Sequence, residues 1–146
     1  MVNKKLLKKS GVLFCLFIFM SCSLYSNTQL PYGISGEMTI EDSSIYELGG
    51  IYLKMYNKAL KKISRFTVVF FLFDEEGNSP LLGRNNVVLN ITSDIESEKM
   101  FEHCVSLDQF LSEVPEEPYL VDFLYVSEIV YEDGSCWRDP FGMYAF

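Results

Sequence analysis

Residues 63–73, Ile-Ser-Arg-Phe-Thr-Val-Val-Phe-Phe-Leu-Phe, form a run rich in β-branched and aromatic side chains. Such residues favour strands, and successive side chains of a strand point to opposite faces. Phe66 and its even-numbered neighbours up to Leu72 then share one face, and Thr67 and its odd-numbered neighbours up to Phe73 share the other. Because both faces are largely apolar, the run predicts a strand that is buried on both sides or covered by a partner.

Shorter segments of the same kind lie on both sides of this strand and are separated by turn residues. Residues 74–78, Asp-Glu-Glu-Gly-Asn, form an acidic turn, and Asp133-Gly134 is a tight-turn dipeptide. The other predicted strands are 51–56, 86–92, 100–107 and 121–132, with a short return through Cys136 and Trp137. This succession of strands and turns predicts an all-β, antiparallel sandwich over residues 49–146.

One helical signal interrupts the strands. Ser106 and Gln109 have the spacing of a capping box, Leu107 and Phe110 would lie on one apolar face, and Pro115 would end the segment. The sequence therefore predicts one short helix within the sandwich.

The first 22 residues have the order of a bacterial export signal. Four lysines precede an apolar run over residues 11–20, and Ser21 leads into Cys22. A cysteine at the cleavage point makes such a signal a lipid-attachment site, so we predict a signal peptide over residues 1–21 and an acylated Cys22. A plain secretory peptide and an uncleaved anchor stay open as alternatives, although a membrane span needs roughly 20 apolar residues.

Residues 22–48 are predicted to be the lipidated N-terminus and a flexible tether. Residues 23–36 are rich in Ser, Asn, Thr, Gln, Pro and Gly, which is typical of a linker. The predicted location is therefore the cell envelope, with the acyl chains holding the domain on a membrane.

The charge of the chain restricts its partners. The sequence has 12 basic and 20 acidic residues, and removal of the four lysines of the predicted signal leaves 8 basic against 20 acidic, a net charge of −12. A surface this acidic repels phosphate backbones, so we expect no nucleic-acid partner. An envelope or host protein is the partner class that stays compatible, and no cofactor is expected.

Two motifs resemble a known family. Residues 70–74, Phe-Phe-Leu-Phe-Asp, fit the F-x-L-[YF]-D signature of FxLYD-type domains, and residues 132–137, Glu-Asp-Gly-Ser-Cys-Trp, resemble the EDGS-x-W ending of small bacterial exported lipoproteins. The resemblance covers roughly residues 51–137. It implies an immunoglobulin-like sandwich, often lipid-anchored, without established catalytic residues. Cys136 departs from the pattern, since an aliphatic residue is more usual there.

Few residues suggest catalysis or metal binding. His103 shares a predicted strand face with Phe101 and is expected to be a partly buried structural side chain, while neighbouring Cys104 should point to the opposite face, so we predict no metal site and no catalytic residue. The alternative is a small hydrolase that uses loop carboxylates. Its candidate groups are the acidic clusters at 74–76, 116–117 and 132–133.

The aromatic residues divide into a predicted core and a predicted surface. Large side chains suited to the core of a small sandwich are Phe66, Phe70, Phe123 and Trp137. Tyrosines that could form an exposed recognition surface are Tyr52, Tyr56, Tyr125 and Tyr131. The chain would then be a non-enzymatic binding or accessory module.

Cys104 and Cys136 are the two thiols left after signal cleavage and acylation. Disulfides persist in exported proteins, so the pair is a candidate bridge. The bridge requires the two strands to be neighbours in one sheet, with Cα atoms within about 7 Å.

Overall fold

The computed structural model describes residues 29–145 except 82, 83 and 85. The predicted signal peptide over residues 1–21 and the predicted lipidation site Cys22 lie outside the described residues. Within these bounds the chain contains seven strands and no helix. The strands are β1 (Tyr32–Thr39), β2 (Gly50–Asn57), β3 (Ile63–Phe73), β4 (Val87–Ile95), β5 (Met100–Ser106), β6 (Leu120–Tyr131) and β7 (Cys136–Arg138).

The strands form two antiparallel sheets. One has three strands in the order β1-β2-β5, and the other has four strands in the order β4-β3-β6-β7. The inner faces of both sheets contribute to one hydrophobic core. The all-β, two-sheet antiparallel architecture expected from the sequence is therefore confirmed.

The core lies mainly between β2 and β3. Phe66, Phe70 and Leu72 of β3 are fully buried, as are Ile51 and Leu53 of β2. Burial of a large apolar side chain contributes about 1.5–3 kcal/mol. Trp137 is only partly buried, with its ring 5.5 Å from that of Tyr32 in an edge contact. From Phe66 to Leu72, alternation along β3 thus places the even-numbered side chains in the core, as the sequence indicates.

The predicted tether over residues 22–48 is too long, because β1 occupies residues 32–39 of it. Tyr32 and Met38 are buried, and Ile34 is partly buried against the same core. Main-chain pairing with β2 and these apolar side chains outweigh the weak strand preference of the two glycines between them. The sandwich therefore begins before residue 49.

The predicted short helix is also wrong. The amides of Phe110 and Leu111 both donate to the carbonyl of Leu107, at 2.8 and 3.3 Å, so the backbone makes one turn and no more. The Asp108 carboxylate accepts hydrogen bonds from the amides of residues 47–49, at 2.7–3.3 Å, and fixes this turn against the β1–β2 loop. Tertiary hydrogen bonds therefore override the local capping signal. Among the described residues, no helix is long and apolar enough to cross a membrane.

The two ends of the sandwich differ in charge. We call the end formed by loops 40–49, 74–86 and 107–119 the acidic end, because these loops contain three, three and four acidic residues and one basic residue. We call the opposite end, formed by loops 58–62, 96–99 and 132–135, the lysine end, because it contains four lysines and four acidic residues. The chain enters β1 at the lysine end, where Tyr32 pairs with Asn57.

Candidate functional site

An exposed apolar patch lies on the outer surface of the four-stranded sheet, next to the acidic end. We call it the aromatic face, and it consists of Phe71, Phe73, Leu120 and Phe123. The rings of Phe71 and Phe73 are nearly parallel, at 5°, with centroids 6.4 Å apart, and Phe123 meets Phe71 edge-on at 5.7 Å. Phe123 is 51% exposed and Leu120 is 63% exposed. Apolar side chains clustered in this way on an outer sheet surface are typical of interaction sites.

Phe123 is at the surface because β6 contains a bulge. Val69 pairs with Tyr125 but Phe71 pairs with Asp122, so three residue steps of β6 match two of β3. The extra residue reverses the alternation, and Leu124 packs on the core in place of Phe123. The expectation that Phe123 belongs to the core is therefore wrong. A regular strand pattern gives no sign of a bulge, and this is why sequence reasoning missed the residue.

The backbone at Phe123 is strained. Its φ is +48°, in the left-handed region that bulky side chains rarely adopt. The Phe123 amide donates to the Asp122 carboxylate at 2.8 Å. Strained residues persist where the surroundings fix them, and they cluster at functional sites.

The four predicted surface tyrosines do not form one surface. Tyr52 is 40% exposed on the outer face of the three-stranded sheet, and Tyr56 is partly exposed four residues further along β2. Tyr125 and Tyr131 are 9% and 8% exposed, so their assignment to a recognition surface is wrong. Tyr131 lies in the core because a second bulge, between Thr67 and Val68 in the pairing of β3 with β6, reverses the alternation again.

Tyr125 is buried by the end of the chain. Its hydroxyl donates to the carbonyl of Pro140 at 3.3 Å, and Gly142 approaches its ring so closely that a Cβ there would be 3.0 Å away. The buried Asp139 carboxylate holds this segment, because it accepts the amides of Met143 and Tyr144 at 2.9 and 3.0 Å. The segment after β7 thus docks on the sandwich.

Two of the three acidic clusters lie on opposite sides of one groove. Asp74, Glu75 and Glu76 line one side of a groove at the acidic end, and residues 115–119, which include Glu116 and Glu117, line the other. Asp74 accepts hydrogen bonds from Asn78 and from the amides of its own turn, and these bonds lower the pKa of its carboxyl group. Asp74 is therefore an ionised turn residue and not a proton donor.

The third acidic cluster lies at the lysine end. Asp133 pairs with Lys61 at 2.7 Å and also accepts the Ser135 hydroxyl, and these contacts hold the pKa of Asp133 far below its usual range. Because Asp133 lies at the opposite end of the sandwich, it cannot act together with the groove carboxylates. Within the described part of the chain, no group of three or more His, Cys, Asp or Glu side chains is arranged to hold a metal ion.

His103 lies at the open side of the sandwich between β4 and β5. It is exposed, with its ring 4.8 Å from that of Phe101. His103 lies on the same face of β5 as Phe101, as expected, but its imidazole is less buried than expected because β5 is the edge strand of its sheet. A contact with one aromatic ring gives this side chain a packing role.

The candidate disulfide is not formed. Cys104 lies on β5 of the three-stranded sheet and Cys136 lies on β7 of the four-stranded sheet, and both are free thiols. The requirement for neighbouring strands is therefore not met. Cys104 is partly buried, which raises the pKa of its thiol, and Cys136 is exposed.

No protein-family model matches the chain, and no significant match is found among curated proteins or among solved structures.

Proposed function

We propose that this protein is a lipid-anchored binding module of a bacterial cell envelope, without enzymatic activity, and that its recognition surface is the aromatic face. The observation that carries the proposal is the ring cluster formed by exposed Phe123 and partly buried Phe71 and Phe73, with a strained backbone at Phe123. The face replaces the tyrosine surface expected from the sequence. Such a cluster suits recognition of another molecule, because aromatic side chains bury a large area at a low cost in conformational entropy.

The order of the strands supports an immunoglobulin-like sandwich. In that fold, the first, second and fifth strands share one sheet, and the third, sixth and seventh share the other. These six strands divide in the same way here, whereas the fourth strand, which joins the sheet of the first strand in the seven-stranded constant-type fold, here joins the sheet of β3. The FxLYD signature at 70–74 covers the end of β3 and its turn, and the motif at 132–137 covers the turn from β6 to β7. We therefore keep the resemblance to FxLYD-type lipoprotein domains as part of the proposal.

Membrane attachment through Cys22 rests on the order of lysines, apolar run and serine that precedes it. We expect fatty-acid labelling of the wild-type protein in bacteria, loss of that label and of membrane fractionation in Cys22→Ser, and no change in the matched variant Cys15→Ser. A mature N-terminus other than diacylglyceryl-Cys22, identified by mass spectrometry, would refute the anchor.

A hydrolase that uses the groove carboxylates is the second candidate, because two acidic clusters converge there. Glycoside hydrolysis needs one carboxyl group that is protonated at the working pH, and Asp74 does not meet this need. We expect the purified protein to release no reducing sugar from cell-wall glycan. Release that is lost in Glu116→Gln or Glu117→Gln would establish the hydrolase instead.

A further inference from the structure

We propose that the aromatic face binds a cationic segment of a partner protein, in which apolar side chains cover the rings and lysine or arginine side chains contact the surrounding carboxylates. This inference rests on the proposed binding function but not on the lipid anchor. It adds the chemical class of the partner.

The apolar part of the surface is preorganised. The parallel rings of Phe71 and Phe73 lie along one strand, and the bulge places Phe123 edge-on against Phe71. Leu120 extends the surface, because it pairs with Phe73 across the two strands. These positions belong to paired strands and not to a loop, so little conformational entropy would be lost on binding.

The charge around the face is predominantly negative. Asp122 lies directly opposite Phe71 in the strand register and is exposed. Phe73 leads directly into the acidic turn that lines the groove, and Glu116 and Glu117 lie across it. The three loops of this end contain ten acidic residues and Arg84 as their one basic residue. Electrostatic complementarity therefore favours a partner with positive charges at the edge of an apolar contact.

The same charges disfavour a second copy of the domain, an anionic membrane or a nucleic acid as the molecule bound at the aromatic face. A second copy of the domain would bring two acidic ends together, since each copy has 8 basic and 20 acidic residues after residue 28, and like charges at a contact cost several kcal/mol. An anionic lipid surface and a nucleic acid are repelled for the same reason. An uncharged glycan could stack on parallel rings but would gain nothing from the carboxylates.

The test measures binding of designed peptides to the full chain purified in a non-ionic detergent, with detergent alone as the blank, so that the measurement does not depend on the acyl anchor. The probe is a fluorescent ten-residue peptide of alternating lysine and leucine. Matched peptides replace every lysine by glutamate or every leucine by serine. We expect saturable binding of the first peptide, weakened by salt, and at least about tenfold weaker binding of both others, because the proposal needs charge and apolar area together.

The variants place the binding on the face. We expect Phe71→Ala and Phe123→Ala each to weaken binding by about tenfold, as truncation of a central aromatic contact typically does. Leu60→Ala is the matched control, since this leucine is 92% exposed at the lysine end. It should leave the affinity unchanged. Circular dichroism and melting curves of each variant separate loss of binding from loss of fold.

The outcomes separate the inference from the proposed function. Equal binding of the lysine and glutamate peptides, or an affinity unchanged by both phenylalanine variants, would refute the cationic partner. Binding of an uncharged N-acetylglucosamine oligomer that shifts the NMR signals of Phe71 and Phe123, without peptide binding, would refute the partner class and retain the binding module. If neither the peptides nor the glycan bound, both the cationic partner and the binding function of the aromatic face would be refuted.

Discussion

Asn57 is expected to hold the lysine end of the sandwich together, so its loss should be strongly destabilising. The side chain is fully buried at the end of β2. Its amide nitrogen donates to the carbonyls of Lys61, Ile95 and Glu96 at 2.8, 3.1 and 3.1 Å, and its oxygen accepts the amide of Ala59 at 3.0 Å. One amide group thus ties the β2–β3 loop to the β4–β5 loop.

The magnitude follows from these contacts. An intramolecular hydrogen bond contributes about 1 kcal/mol net, and a buried polar group left without a partner costs about 1–3 kcal/mol. Asn57→Ala removes four contacts, of which two share a hydrogen, and leaves partly buried carbonyls without donors. We therefore expect a loss of about 3–4 kcal/mol, a large part of the 5–15 kcal/mol that typically separates folded from unfolded states.

Urea denaturation of Asn57→Ala and of two comparison variants checks this value. Asn90→Ala is the matched control, because Asn90 is exposed and its side-chain oxygen accepts a hydrogen bond from the Thr67 hydroxyl at 2.8 Å. It should change stability by less than about 1 kcal/mol. Asn57→Asp keeps the shape but turns a carboxylate toward carbonyl oxygens, so it should destabilise at least as much as alanine at neutral pH. A loss of less than about 1 kcal/mol of unfolding free energy in Asn57→Ala would refute the structural role given to the Asn57 hydrogen bonds.

Three further outcomes are expected. Hydrogen bonds from the β1–β2 loop lower the pKa of Asp108, so the contribution of this carboxylate to folding stability is present above the usual carboxyl pKa near 4 and is lost as pH falls through the lowered value. The difference in melting temperature between wild type and Asp108→Ala should therefore be present at pH 6 and shrink below about pH 4. A difference that does not depend on pH would contradict this. A Cβ at Gly50 would lie 2.5 Å from the Tyr46 ring, whereas a Cβ at Gly33 would have its nearest atom 3.6 Å away. Melting curves should therefore show that Gly50→Ala is destabilised by about 1–3 kcal/mol and that Gly33→Ala has nearly the stability of the wild type. Peptide mapping after alkylation should label Cys136 quickly and Cys104 slowly, and recovery of the two as one disulfide-linked peptide would overturn the free-thiol state.

Parts of the fold could be predicted from sequence because they depend on composition alone. The bounds expected for β3 coincide with those observed, since β-branched and aromatic residues fill it and an acidic glycine turn ends it. β1 was missed because Gly33, Ser35 and Gly36 resemble linker residues. Its signal was present in the inward alternation of Tyr32, Ile34 and Met38, which are buried or partly buried.

The candidate site could not be predicted in the same way. The two bulges of β6 reverse its alternation twice, so Tyr131 is buried and Phe123 is exposed. A bulge is set by the fit of one strand to its neighbour, and this information is not contained in the pattern of a single segment. The acidic end was visible as separate loop clusters, but only the strand order shows that three loops lie together.

The anchor and the charge distribution together fix how the domain would be presented. If Cys22 is acylated, ten residue steps separate it from Tyr32 at the lysine end, and these can span at most about 35 Å. β3, with 11 residues, extends about another 35 Å toward the acidic end, several times the Debye length of about 8 Å. A domain standing on its lysine end therefore keeps its acidic loops beyond the field of anionic lipids, whereas a domain lying flat brings them into it. Repulsion favours the upright orientation, in which the aromatic face lies at the far end of the molecule and is accessible to a partner that approaches from outside the membrane.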